Sequence, residues 1–142
     1  MADIALQIRI DSDADTVYRA ISTAEGVAGW FTTRAEIGEG VGALHRLSFP
    51  GAPMTWDFRI ETAEPGKRLA QTVVAGPPQW IGTEIVYALE AHPEGGTVVR
   101  FDHTGFAEID DMFREVTMGW AGMFLRLKEN VETGSPVPYF TV

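Results

Sequence analysis

Two hydrophobic periods divide the chain. At its start Ile4, Leu6, Ile8 and Ile10 alternate with Ala5, Gln7 and Arg9, the pattern of a strand with one buried face. The same period returns at Met54, Trp56, Phe58 and Ile60, and at Leu69, Gln71 and Val73 within Lys67–Val74. It returns again at Thr83, Ile85, Tyr87 and Leu89 within Ile81–Ala91, and at Val99, Phe101 and His103. Shorter strands are predicted near Thr32–Ile37 and Ala43–Phe49. From about Glu108 to Glu132 the spacing changes to threes and fours. Ile109, Phe113, Val116, Trp120, Met123, Phe124, Leu127 and Val131 fall on one helical stripe, widened by Met112 and Leu125. Gly119 and Gly122 interrupt this helix, where each costs roughly 1 kcal/mol relative to Ala. Such a cost marks a close backbone approach or a deliberate gap.

After the first strand, Ser12 or Asp13 caps a helix with Val17, Ala20 and Ile21 on its apolar face. A second short helix is predicted around Ala24–Trp30, ending in the Trp30-Phe31 pair as a plug over one end of the core. Gly38 to Gly42, Pro50 to Pro53, Pro65-Gly66, Gly76 to Pro78 and Pro93 to Gly96 read as turns. Gly38-Glu39-Gly40-Val41-Gly42 is not a phosphate cradle, because Glu39 repels phosphate and no Lys or helix pattern follows. The last residues, 134–142, hold Pro136 and Pro138 and form an extended tail that folds back on the body or packs on a partner chain. The order is one strand, two short helices, six strands and one long helix. Strands joined by short turns make an antiparallel sheet. The fold class is therefore α+β: a curved seven-stranded antiparallel sheet wrapped around the C-terminal helix.

At 142 residues, 45% of them apolar and 11% aromatic, the chain suffices for one well-filled core. A formal charge of −9 argues against nucleic acid or an anionic membrane surface as partner. The chain has no Cys, which excludes disulfides, zinc–thiolate sites and thiol nucleophiles. Its N-terminus lacks the basic and apolar blocks of a signal peptide, and no run approaches the roughly 18 apolar residues of a membrane span. A cytoplasmic protein is expected.

Several stretches together resemble a known family. They are Ile8-Arg9-Ile10 with Ala14–Ile21 and Trp30-Phe31, then Phe58 to Leu69 including Pro65-Gly66-Lys67. Leu89, Gly96-Thr97, His103-Thr104-Gly105-Phe106, and Gly119-Trp120 followed by Leu125, Leu127 and Lys128 complete the pattern. On these residues the chain resembles the domain family named after the activator of Hsp90 ATPase, within the START/Bet v 1-like superfamily. The resemblance implies the helix-grip fold over residues 1–133, with 134–142 as the tail. It also implies an apolar cavity between sheet and long helix, but no shared catalytic set. No cofactor is expected.

The informative residues are polar ones on apolar parities: His45 beside Leu47 and Phe49, Gln71 between Leu69 and Val73, Thr83 and Tyr87 beside Ile85, and His103 after Phe101. Each costs on the order of 1–3 kcal/mol if buried without a hydrogen bond. Together they either satisfy one another or face a cavity. The candidate ligand-binding set is His45, Trp56, Phe58, Gln71, Thr83, Tyr87, Phe101, His103, Trp120 and Met123, with Met54, Trp80 and Met118 as further apolar wall. The expected partner is a small apolar or amphipathic molecule, and a homodimer is compatible with it. Two alternatives stand beside binding. One is a cyclase- or hydrolase-like enzyme using His45, His103 or Tyr87 as acid or base. The other is an Hsp90-activating or other chaperone-linked interaction domain. No Gly-x-Ser-x-Gly motif is present, and the separated His residues make a poor metal site. Glu108, Asp110 and Asp111 are explained by the dipole of the helix they precede.

Overall fold

In the computed structural model, which describes Met1–Val142, the alternating segments become β1 (Ala2–Ile10), β2 (Ala35–Ile37), β3 (Leu44–Leu47), β4 (Trp56–Glu64), β5 (Arg68–Ala75), β6 (Glu84–Ala91) and β7 (Thr97–Phe106). The helical segments become α1 (Ala14–Ser22), α2 (Ala24–Ala28) and α3 (Asp111–Thr133). The strands form one seven-stranded antiparallel sheet in the order β1-β7-β6-β5-β4-β3-β2. Chain neighbours pair except at one place. β1 skips across to β7, and α1 and α2 fill the connection between the two edges of the sheet. Register shifts at Asp57/Phe58 and Ile60/Thr62 bend β4, and curvature of this kind lets the sheet wrap a helix.

The inner face carries rows set by register. Phe101 of β7 lies opposite Leu6 and Tyr87, His103 opposite Ile85, Gln71 opposite Ile85 and Ile60, and His45 opposite Phe58. α3 lies over these rows with Trp120, Met123, Phe124 and Leu127 buried. An aromatic cluster fills the space between. Phe101 lies 4.5 Å from Trp120 and 4.7 Å from Phe124, and Trp30 stacks on Phe124 at 5.8 Å, measured between ring centroids. The Trp30-Phe31 pair does plug the core: Trp30 is fully buried and its Nε1 donates to Ala20 O at 2.8 Å.

The structure departs from the expected pattern at several ends. Ile109 precedes the N-cap Asp110, whose side chain accepts from Phe113 N at 2.8 Å, so Ile109 is exposed instead of joining the stripe. Leu125 and Met118 also face outward from α3, because each lies one or two residues off the buried line of Trp120, Met123, Phe124 and Leu127. Met54 and Ile81 fall in turns outside β4 and β6 and are exposed. The tail folds back on its own body. Val137, Tyr139 and Phe140 donate backbone N–H bonds to Gly29, Trp30 and Phe31 carbonyls, and Thr32 bridges Phe140 in parallel. Arg126 of α3 clamps the tail by donating to Val137 O and Pro138 O and lying 5.2 Å from the centre of the Tyr139 ring.

Candidate functional site

The ten candidate residues separate into three places. Around His103 the polar groups are satisfied among themselves. Trp120 Nε1 can only donate, and it reaches His103 Nδ1 at 3.0 Å. In the neutral ring this places the proton on Nε2, which donates to Thr83 Oγ1 at 2.8 Å. Thr83 in turn donates to Trp80 O at 2.6 Å. The chain runs from α3 through β7 to the β5–β6 connection and ties the long helix to the sheet. Burial lowers the His103 pKa to about 3. Both ring nitrogens are engaged, so the geometry leaves His103 no free nitrogen for acid–base work. Phe58 and Phe101 are likewise fully buried in the aromatic packing.

Around His45 the polar groups are not satisfied. His45 and Gln71 are 3% and 2% exposed. Their side chains meet across β4, with Gln71 Nε2 2.9 Å from His45 Nδ1. His45 Nε2 and Gln71 Oε1 then have no partner. Both residues line a void of about 10 Å³, walled by Tyr87, Phe58, Trp30 and Phe31. Burial lowers the His45 pKa to about 4 and raises that of Tyr87.

Trp56, Trp120 and Met123 belong to a third place, an open groove of about 310 Å³ between α3 and the β3–β4 connection. Phe49, Trp80, Val116 and Phe140 complete its walls. Gly119 lines it as well, and a Cβ built there meets nothing within 4 Å, so this glycine borders open space. Gly122 has a different reason: its missing Cβ makes room for the Tyr139 ring, 3.0 Å from where that carbon would stand. The enclosed cavity expected at His45, Gln71, Tyr87 and His103 is thus reduced to a water-sized void by aromatic packing, and the larger apolar space is displaced to the side of α3. Phe140 was not a candidate from the sequence. Its only signal was an aromatic residue in a proline-rich tail.

With the geometry in place, comparison with known proteins gives the family. The model of the family described as "Activator of Hsp90 ATPase homolog 1-like protein" matches residues 11–132. The chain belongs to this family. A member-like solved structure, the Aha1 dimer of Colwellia psychrerythraea, is 32% identical, with a TM-score of 0.86 over 94% of this chain and 98% of that one. A Mesorhizobium loti protein shares the fold at 19% identity and a TM-score of 0.81, over 93% of this chain and 98% of its own. DynU16, a protein in the dynemicin biosynthetic locus, shares the fold at 22% identity and a TM-score of 0.80, over 99% of this chain and 51% of its own. No curated protein matches. No helix is long and apolar enough to cross a membrane.

Proposed function

We propose that this family member binds a small, mostly apolar molecule in the groove between α3 and the β3–β4 connection. The observation that carries this reading is the combination of an open, largely apolar space of about 310 Å³ with Gly119 at its wall. Ligand sites typically start at about 300 Å³ and are mostly apolar. A glycine inside a helix sacrifices roughly 1 kcal/mol of propensity, and no neighbouring atom within 4 Å requires it here. That a protein of the same fold stands in a biosynthetic locus supports a small-molecule occupant. Trp56, Trp80 and Trp120 line the groove, so occupancy is readable from the protein's own fluorescence.

Nile red, a neutral apolar dye, is expected to brighten and to quench tryptophan emission in a saturable, one-to-one manner. Gly119→Leu fills the groove and is expected to abolish both signals. If the Leu variant binds the dye as tightly as the native protein, the groove is not the site. Native mass spectrometry of freshly purified protein then looks for a co-purifying occupant.

A second copy of the chain is a further partner that this reading accommodates. The tail is held by its own body, whereas Met118 and Leu125 present exposed apolar side chains on α3. A 32% identical relative is described as a dimer. Leu125→Glu with Met118→Glu is expected to lower the mass in light scattering from dimer to monomer. A native protein that is already monomeric at high concentration rejects the dimer.

A further inference from the structure

The unpartnered atoms of His45 and Gln71 have no part in the groove. Leaving one buried polar atom unpaired costs on the order of 1–3 kcal/mol, and here two lie side by side. Their hydrogen-bonding character does not depend on how the pair is protonated. If Gln71 donates to His45 Nδ1, the free atoms are an imidazole N–H and an amide oxygen. If the amide is turned and accepts from His45, the free atoms are an amide N–H and an imidazole lone pair. In either arrangement one donor and one acceptor face a space of about 10 Å³, the room of about one water molecule.

That requirement is narrow. A carboxylate or a carbonyl only accepts, and an ammonium only donates. A hydroxyl does both from a single atom and fits the volume. The surroundings also disfavour charge, because the other side chains that wall the void are uncharged, with the Tyr87 phenol and the Trp30 indole, already bonded to Ala20 O, as their only polar groups.

His45 also lines a second, larger space. A cleft of about 420 Å³ lies between the end of α1 and the β2–β3 connection, bordered by Tyr18, Ser22, Glu39, Ile60 and Leu69. His45 therefore borders both this cleft and the inner void. Phe31 lines both this void and the groove.

We infer that the cleft between α1 and the β2–β3 connection is a second ligand site, for a small neutral alcohol whose hydroxyl pairs with both His45 and Gln71. A rotation of the His45 ring joins the two spaces and admits the hydroxyl, while the body of the ligand stays in the cleft. This site stands whether or not the groove binds an apolar molecule.

The test uses the full chain, nitrogen-labelled, with benzyl alcohol as probe and toluene and benzoate as controls. The readout is the His45 ring nitrogens and the Gln71 side-chain amide in nuclear magnetic resonance spectra. Benzyl alcohol is expected to shift both sets of signals to saturation, and toluene and benzoate to bind at least about tenfold more weakly. Replacing both partners at once, His45→Phe with Gln71→Leu, leaves no stranded polar atom and keeps the fold. It is expected to weaken benzyl alcohol by about tenfold or more. Ser22→Trp blocks the cleft and is expected to do the same, whereas Gly119→Leu leaves this binding unchanged. The inference is overturned if benzyl alcohol moves neither residue, which would leave a buried water as the sole occupant. Equal binding of toluene overturns it too, as does loss of binding with Gly119→Leu but not with Ser22→Trp.

Discussion

His45 and His103 occupy equivalent places in the pattern. Each sits on the inner parity of a strand, each is buried, and each is held neutral by its surroundings. Their neighbours make them opposites. His103 has a partner for each ring nitrogen, on a helix and on a loop, and works as a tie between α3 and the sheet. His45 has one partner and one empty nitrogen, beside an equally incomplete glutamine. A polar side chain facing inward is therefore not in itself a sign of a site. The sign is a polar side chain that the fold leaves unfinished, and here it is found between β3 and β5, next to a cleft.

The largest expected effect follows from removing the tie. His103→Leu strands the Trp120 N–H in the core and takes from Thr83 Oγ1 its donor, leaving that hydroxyl only its bond to Trp80 O, and roughly 3 kcal/mol of stability should be lost. Urea unfolding measures it. A loss no greater than that of an average substitution, about 1 kcal/mol, would mean that the tie is ornamental and the two histidines are alike.

Acid comes next. The unfolded chain protonates both histidines near pH 6.5, while the folded chain resists until about 4 for His45 and about 3 for His103. Between these values the unfolded state binds more protons, so stability rises with pH. It is fully present above about pH 6.5 and is lost as pH falls toward the folded values. At about pH 5 the loss should be roughly 2 kcal/mol per histidine. In the His45→Phe, Gln71→Leu variant the His45 share disappears and the His103 share remains. Unfolding midpoints at a series of pH values separate the two.

A smaller effect contrasts the two helix glycines. Gly119→Ala places a methyl group in open space and should stabilise by roughly 1 kcal/mol. Gly122→Ala presses on the Tyr139 ring at 3.0 Å, so its gain should be smaller or reversed. Equal gains in thermal unfolding would show that the tail does not rest on α3. Smallest of all, the His45→Phe, Gln71→Leu double change should alter stability by less than about 1 kcal/mol, because removing both partners leaves nothing unpaired. A large loss there would make the pair a tie like that of His103.

The sheet, its antiparallel order and the long helix were legible because each rests on local period and turn chemistry. Alternation of Ile4, Leu6, Ile8 and Ile10 needs no knowledge of β7 to predict a one-sided strand. Short turns such as Pro65-Gly66 make neighbouring strands pair, and that determines most of the strand order. The family pattern could likewise be read, since it is made of the same packing and turn residues.

The site was legible only as a list. Sequence determined that His45, Gln71, Thr83, Tyr87 and His103 face inward, because parity is a local property. It could not determine which of them meet, because their contacts cross strands and reach α3 over separations of 17 to 26 residues. Nor could it show that the cavity is packed with Trp30, Phe101 and Phe124, or that the open space moves to a groove closed by Phe140. Volume is a sum over side chains from distant parts of the chain. The same limit applied to Gly119 and Gly122. Their cost was visible in the sequence, but only the tertiary structure put empty space beside the first and a tail aromatic against the second.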